Sequence, residues 1–155
     1  MSLESDIDVL RRVSFFEGFS DEHLRLIAFS AESRSLPEKL LLYDEGQLLH
    51  SAYVIGSGML RGERKAKAGD DGAKREIGPG VILGERALIL DTRAGESVRV
   101  EARARVLQIR KAMFRRLLQE YPEIAIALRA RLTRNMLRAS AELSQVARRL
   151  STIPG

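Results

Sequence analysis

Cysteine is absent from the chain, which excludes disulfides, thiolate catalysis and cysteine-ligated zinc. Histidine is nearly absent: His23 and His50 stand far apart in the sequence, too sparse for a histidine metal cluster. Long apolar runs are missing. Stretches such as Val81–Leu83 and Ala87–Leu90 fall far short of the ~20 residues that span a bilayer, so no membrane association is expected. The N-terminus, Met1-Ser2-Leu3-Glu4-Ser5-Asp6, lacks the basic character of a signal or transit peptide, and a cytoplasmic location is the expectation.

What is present fits one folded unit. The 155 residues are 45% hydrophobic, enough to bury a core, and are read as a single domain over 1–155. The net charge of +5 hides an asymmetry: residues 103–155 hold 12 basic and 3 acidic residues. Such a stretch reads as a solvated, arginine-rich helix face; the alternative is attraction for nucleic acid, anionic lipid or an acidic partner.

Glycine divides the chain. Ten of its twelve glycines lie between Gly46 and Gly95, so short strands and tight turns are expected there and helices on either side. Ser5-Asp6 is a candidate cap for a first helix running to Arg12. Ser20, followed by Asp21 and Glu22, caps a second one. Phe15, Phe16 and Phe19 read as packing residues of an N-terminal helical lid. Strands are expected at Lys39–Tyr43, Ala52–Ile55, Met59–Lys67, Lys74–Ile77, Ser97–Ala102 and Val106–Ile109, with turns at Gly56-Ser57-Gly58, Asp70-Asp71-Gly72 and Gly78-Pro79-Gly80. Strands this short suggest an antiparallel sandwich or barrel. A helix over Ala112–Tyr121 is followed by Pro122, which suits a first helical turn, and by a long helix to about Ile153. Leu132, Met136, Ala139, Leu143, Val146 and Leu150 alternate at spacings of four and three. That is a coiled-coil seam, and it predicts a homodimer through 122–153.

The segment Gly80–Val100 holds the candidate chemistry. Gly80 and Gly84 bracket an apolar bend, and Glu85-Arg86-Ala87-Leu88 can form one helical turn whose free N–H groups bind an anion. Arg93 lies nearby, and Ser97 offers a hydroxyl. A carboxylate, a backbone nest and an arginine suit a ligand with one negative charge and free hydroxyls. No nucleophile, metal cluster or histidine base accompanies Glu85 and Glu96, so enzyme activity is not expected. Asp70-Asp71-Gly72 lacks the later ligands of a calcium loop and reads as a turn.

This segment resembles the phosphate-binding cassette of the cyclic nucleotide-binding domain family. That pattern is Phe-Gly-Glu-x-Ala-Leu followed by Pro-Arg-Ala-Ala-(Ser/Thr)-Val, and Leu83-Gly84-Glu85-Arg86-Ala87-Leu88 matches its first half. Gly46, Tyr53-Val54-Ile55 with Gly58, Leu107-Gln108-Ile109, Phe114 and Tyr121-Pro122 extend the likeness over roughly residues 13–150. The resemblance implies an α+β, mainly β fold: an antiparallel β jelly roll (33–110) with N-terminal helices (4–31) and two C-terminal helices (111–153), the last one long. It implies a regulatory sensor of cAMP or cGMP, of the catabolite-activator and protein kinase A regulatory-subunit type, needing no cofactor and signalling through its last helix to a protein partner yet to be identified. Glu85 would hold the ribose 2′-hydroxyl, the backbone of Arg86 and Ala87 the cyclic phosphate, Ser97 would sit near the phosphate or base, and Ser140 on the last helix would reach the base. The family's phosphate-binding arginine falls on Ala94. Arg93 stands one place early, and Glu96 adds negative charge where the phosphate would sit. Two alternatives stay open: a degenerate fold acting as an interaction or dimerisation module without nucleotide, or the sensor part of a transcription regulator. No helix-turn-helix follows the last helix, so specific DNA recognition by this chain is not expected.

Overall fold

The computed structural model describes residues 2–134. Two helices lead in: α1 (Leu3–Arg11) and α2 (Asp21–Ser30), with a 3-10 turn at Ser14–Phe16 between them. Helix α1 begins earlier than Ser5-Asp6 would place it, because the Ser2 side chain accepts the Ser5 N–H and caps it. Helix α2 starts at the expected cap: the Ser20 hydroxyl accepts the His23 N–H, and the His23 ring accepts the Ser20 N–H in return.

Six strands follow: β1 (Glu32–Leu36), β2 (Leu41–Tyr43), β3 (Ser51–Arg64), β4 (Ala73–Ile77), β5 (Ile82–Leu83) and β6 (Ser97–Arg110). All pair antiparallel, in the order β1-β6-β3-β4, with β2 also on β6 and β5 also on β3. Together with the helices they form the jelly roll that the resemblance implies. Helix α3 (Lys111–Glu120) and a helix α4 over 122–134 close the described part, α4 opening at Pro122.

Two expected breaks are not breaks. Gly56-Ser57-Gly58 does not end a strand; β3 runs through it, and the ladder with β6 shifts register between Ile55 and Ser57, Ser57 and Met59, and Met59 and Leu60. The two expected strands at Ser97–Ala102 and Val106–Ile109 are likewise one, β6. Bulges bend and coil long strands without ending them, which lets two 14-residue strands curl into a roll.

Burial separates two apolar clusters. The first packs α1, α2, α3 and α4 onto one face of the sheet, through Phe15, Phe16, Phe114, Ile124 and Leu128 against Ala52, Val54, Leu107 and Ile109. The second fills the roll, with Leu36, Tyr43, Ile55, Leu60, Ile77, Val98, Val100 and Val106. Where β3 and β6 run between the two clusters they are buried on both faces, which explains their unbroken apolar stretches. Leu132, the first residue of the sequence seam, packs against the chain's own helical cluster. Met136, Ala139, Leu143, Val146, Leu150 and Ser140 lie outside the described residues.

Candidate functional site

The turn after β5 is set by Gly84, whose backbone is left-handed (φ 72°, ψ 26°). A Cβ there would stand 3.0 Å from the Ser51 carbonyl oxygen, so conformation and space both call for glycine. Glu85–Leu88 then form a 3-10 turn closed by the Ala87 N–H donating to the Gly84 carbonyl (2.9 Å). The turn is pinned on two sides. Ala87 is buried in the roll, Leu88 in the helical cluster, and neither has exposed surface. No backbone acceptor among the described residues takes the N–H groups of Glu85 and Arg86, which open the turn.

Residues of this turn line a cleft of about 480 Å³ at the mouth of the roll. Leu83, Gly84, Glu85, Arg86 and Arg93 of the expected site line it, together with Tyr43, Arg75, Thr92, Ala94 and Glu96. Leu83 is buried and Glu85 half-buried, while Arg86 is exposed at the rim. Ala87 sits behind the lining, in the core of the roll.

Arg93 has a partner of its own: its guanidinium donates to the Gly46 carbonyl at 3.0 Å, and its backbone bridges Leu48. Ala94 turns inward and is 6% exposed, with its N–H on the Gln47 carbonyl and its carbonyl accepting from Gly46. The one-residue offset between Arg93 and Ala94 thus sends the arginine out and the methyl in. Ser97 is not brought into the cleft. It lies on the opposite face of β6 from Val98, where its hydroxyl donates to the Asp44 carboxylate (2.5 Å) and accepts the Glu45 N–H (2.8 Å). The Ser97 hydrogen bond holds the Asp44 carboxyl below its ordinary range. There Ser97 lines a separate groove of about 360 Å³ with Leu41, Arg61 and Arg99.

Arg75 was not among the sequence candidates. On β4 it shares a face with the buried Ile77, so it points to the inside of the roll. It donates to both oxygens of Glu96, with Nη2 2.6 Å from Oε1 and Nε 3.2 Å from Oε2. The hydrogen bond to Glu96 keeps the guanidinium charge even more firmly in place. Beneath the pair lies Tyr43, whose phenol is pushed up by burial and then by the nearby Glu96 charge. The only sequence signal for Arg75 was its two-residue spacing from Ile77, the one apolar side chain at the end of that strand.

The turn also touches the helices. Glu85 and Arg86 border a second groove, of about 320 Å³, whose far wall is Arg131 and Leu132 of α4. The Arg131 guanidinium, 13% exposed, donates to Glu17 at 2.7 Å. Lys111, at the start of α3, pairs with Asp91 just past the turn and holds that carboxyl below its ordinary range. Among the described residues there is no cluster of metal-ligating side chains, and no helix is long and apolar enough to cross a membrane.

Comparison with known proteins agrees with this architecture. The family model "Cyclic nucleotide-binding domain" matches residues 33–121. The cyclic AMP receptor protein of Thermus thermophilus is 27% identical over 129 residues, which are 83% of this chain and 59% of the receptor. The chain therefore spans about three-fifths of that relative's length. A cyclic nucleotide-binding-like protein from Brucella abortus is 38% identical, superposes with a TM-score of 0.66, and the match covers 74% of this chain and 97% of that one. The N-terminal domain of a transcriptional regulator from Streptomyces coelicolor shares the fold, with a TM-score of 0.80 at 23% identity over 87% of this chain and 94% of that one. With the cassette turn, the roll and the closing helices all in place, the chain belongs to the cyclic nucleotide-binding domain family.

Proposed function

We propose that the chain is a regulatory module that binds a cyclic nucleotide, cAMP or cGMP, in the cleft at the Gly84–Leu88 turn and signals through its C-terminal helix. The observation that supports this most is the turn itself. Glu85 and Arg86, whose N–H groups take no backbone acceptor among the described residues, line the cleft, and Glu85 is half-buried there: a donor pair suited to a phosphate beside a carboxylate suited to a sugar hydroxyl. The family consists of regulatory binding domains, and the reading is one of binding without catalysis.

Signalling follows from how the turn is held. Ala87 packs in the roll and Leu88 in the helical cluster, so a shift of the turn moves both cores. Glu85 and Arg86 also border the groove against α4. A ligand that prefers one placement of the turn would bias the helices by its differential affinity. Dimerisation through 122–153 belongs to the same proposal, with sedimentation equilibrium as its check.

A second reading has its own support. Ala94 is buried where the family has arginine, and Arg93 is engaged with Gly46, which suits an interaction module without nucleotide. Isothermal titration calorimetry of the chain with cAMP and with cGMP separates the two. Saturable heat with either supports the sensor; no heat at millimolar concentration of both, from wild type and from a variant with Glu96 neutralised, leaves the interaction module.

A further inference from the structure

The cleft holds three arginines, and their surroundings differ. Arg93 is exposed and committed to the Gly46 carbonyl, and Arg86 stands at the rim between two grooves. Arg75 alone arises from the inner face of a strand, β4, whose pairing with β3 brings it to the lining of the cleft. Its partner Glu96 occupies a made seat. The Glu96 carboxylate lies over Gly62 of β3 so closely that a Cβ there would stand 2.3 Å from Oε2. Gly62 is also the residue that pairs with Arg75 across the ladder and with Val98 on the other side. A bidentate carboxylate on a guanidinium presents two oxygens in one plane, as a phosphodiester does.

We propose that Arg75 is the cation that receives the ligand's phosphate in this cleft, delivered from β4 in place of the arginine missing at Ala94, and that Glu96 occupies the phosphate's place until the ligand displaces it. The inference rests on the reading of the cleft as an anion-binding site. The Glu96 side chain is 19% exposed and opens onto the cleft, and the preceding Gly95 has open space around its Cα, so the carboxylate has a route to water. With Glu96 in place, an incoming phosphate meets a cation already neutralised. Such a site binds weakly, and its affinity is set by a residue that need not touch the ligand.

The test is calorimetric titration of cAMP and cGMP into wild type, E96Q and the double variant R75Q/E96Q. E96Q is expected to bind about tenfold tighter or more than wild type, the gain from removing one competing charge-assisted pair, and R75Q/E96Q to lose that gain. Binding by E96Q where wild type shows none supports the inference equally. Wild type and E96Q binding alike, or R75Q/E96Q binding as tightly as E96Q, overturns it while leaving the cleft a nucleotide site. No heat from any of the three overturns both. Should E96Q fail to fold, the wild-type Arg75 Nε–H resonance, identified by its loss in R75K, reads the same event. It moves on nucleotide addition if Arg75 changes partner, and an unmoved resonance in a protein that binds refutes the exchange.

Discussion

The two apolar clusters are made of different residues. Of five phenylalanines, four (Phe15, Phe16, Phe19 and Phe114) are buried in the helical cluster, while the roll holds none and is filled by Leu, Val, Ile, Ala and Tyr43. The aromatic rings meet edge-on or tilted, with centroids 5.2 Å apart for Phe15 and Phe16 and 5.6 Å for Phe16 and Phe19. The helical cluster is closed by large side chains that fill space. The roll is lined by smaller ones and ends at a cleft, where the last interior layer is an ion pair instead of a hydrocarbon. One core is shaped to hold the fold together, the other to leave room at its mouth.

That contrast predicts a ranking of mutational effects. Phe114 has no exposed surface and sits where α3 meets the lid. Phe114→Ala is expected to cost about 3–5 kcal/mol, from lost transfer energy plus the cavity left behind, read as the shift in urea midpoint at unchanged slope. A cost below about 1 kcal/mol would mean that the helical cluster collapses around the gap and is not the tightly filled half of the molecule.

The next effect lies at the boundary between the clusters. Gly84→Ala must hold a left-handed backbone and bring its methyl against the Ser51 carbonyl, for a loss of about 1–2 kcal/mol by the same measurement. Because Ala87 and Leu88 hang from this turn on opposite sides, the variant is also expected to raise amide exchange in both clusters, whereas Phe114→Ala raises it mainly in the helical one. Exchange confined to one cluster would show that the turn does not couple them.

The sequence made some of this legible and hid the rest for physical reasons. Ser20 as a helix cap, Pro122 as a helix start and the Gly84–Leu88 turn are local features, fixed by residues within four positions of each other, and they stand where expected. The continuity of β3 and β6 was hidden because glycine marks turns and bulges alike. Only the ladder between the two strands decides which it is. Ser97 stands with Asp44 outside the cleft lining, and its place in the order of the chain carries no information on which side of a strand its side chain emerges. Arg75 was invisible for a third reason. It lies 21 positions from Glu96 and meets it through Gly62, a residue of another strand altogether. The charge at the mouth of the roll is a property of two strands and the bend that leads into a third.

Gly62 offers the finest probe of the difference between the two cores. In Gly62→Ala the new methyl takes the space of the Glu96 carboxylate, which sits at the end of a flexible side chain and can move aside. The Arg75–Glu96 pair is lost, but Arg75 is half exposed, so the change in stability is expected to stay within about 1 kcal/mol. A methyl added beneath Phe114 would strain a filled core; a methyl added at Gly62 only evicts a carboxylate into an open cleft. The consequence falls on binding. With Glu96 displaced and Arg75 kept, Gly62→Ala should tighten cAMP or cGMP in the same direction as E96Q, and combining it with E96Q should add nothing, since both act on one competing contact. Additive gains in that double variant would show that Glu96 and Gly62 act on the cleft independently, and that the mouth of the roll is not organised around this pair.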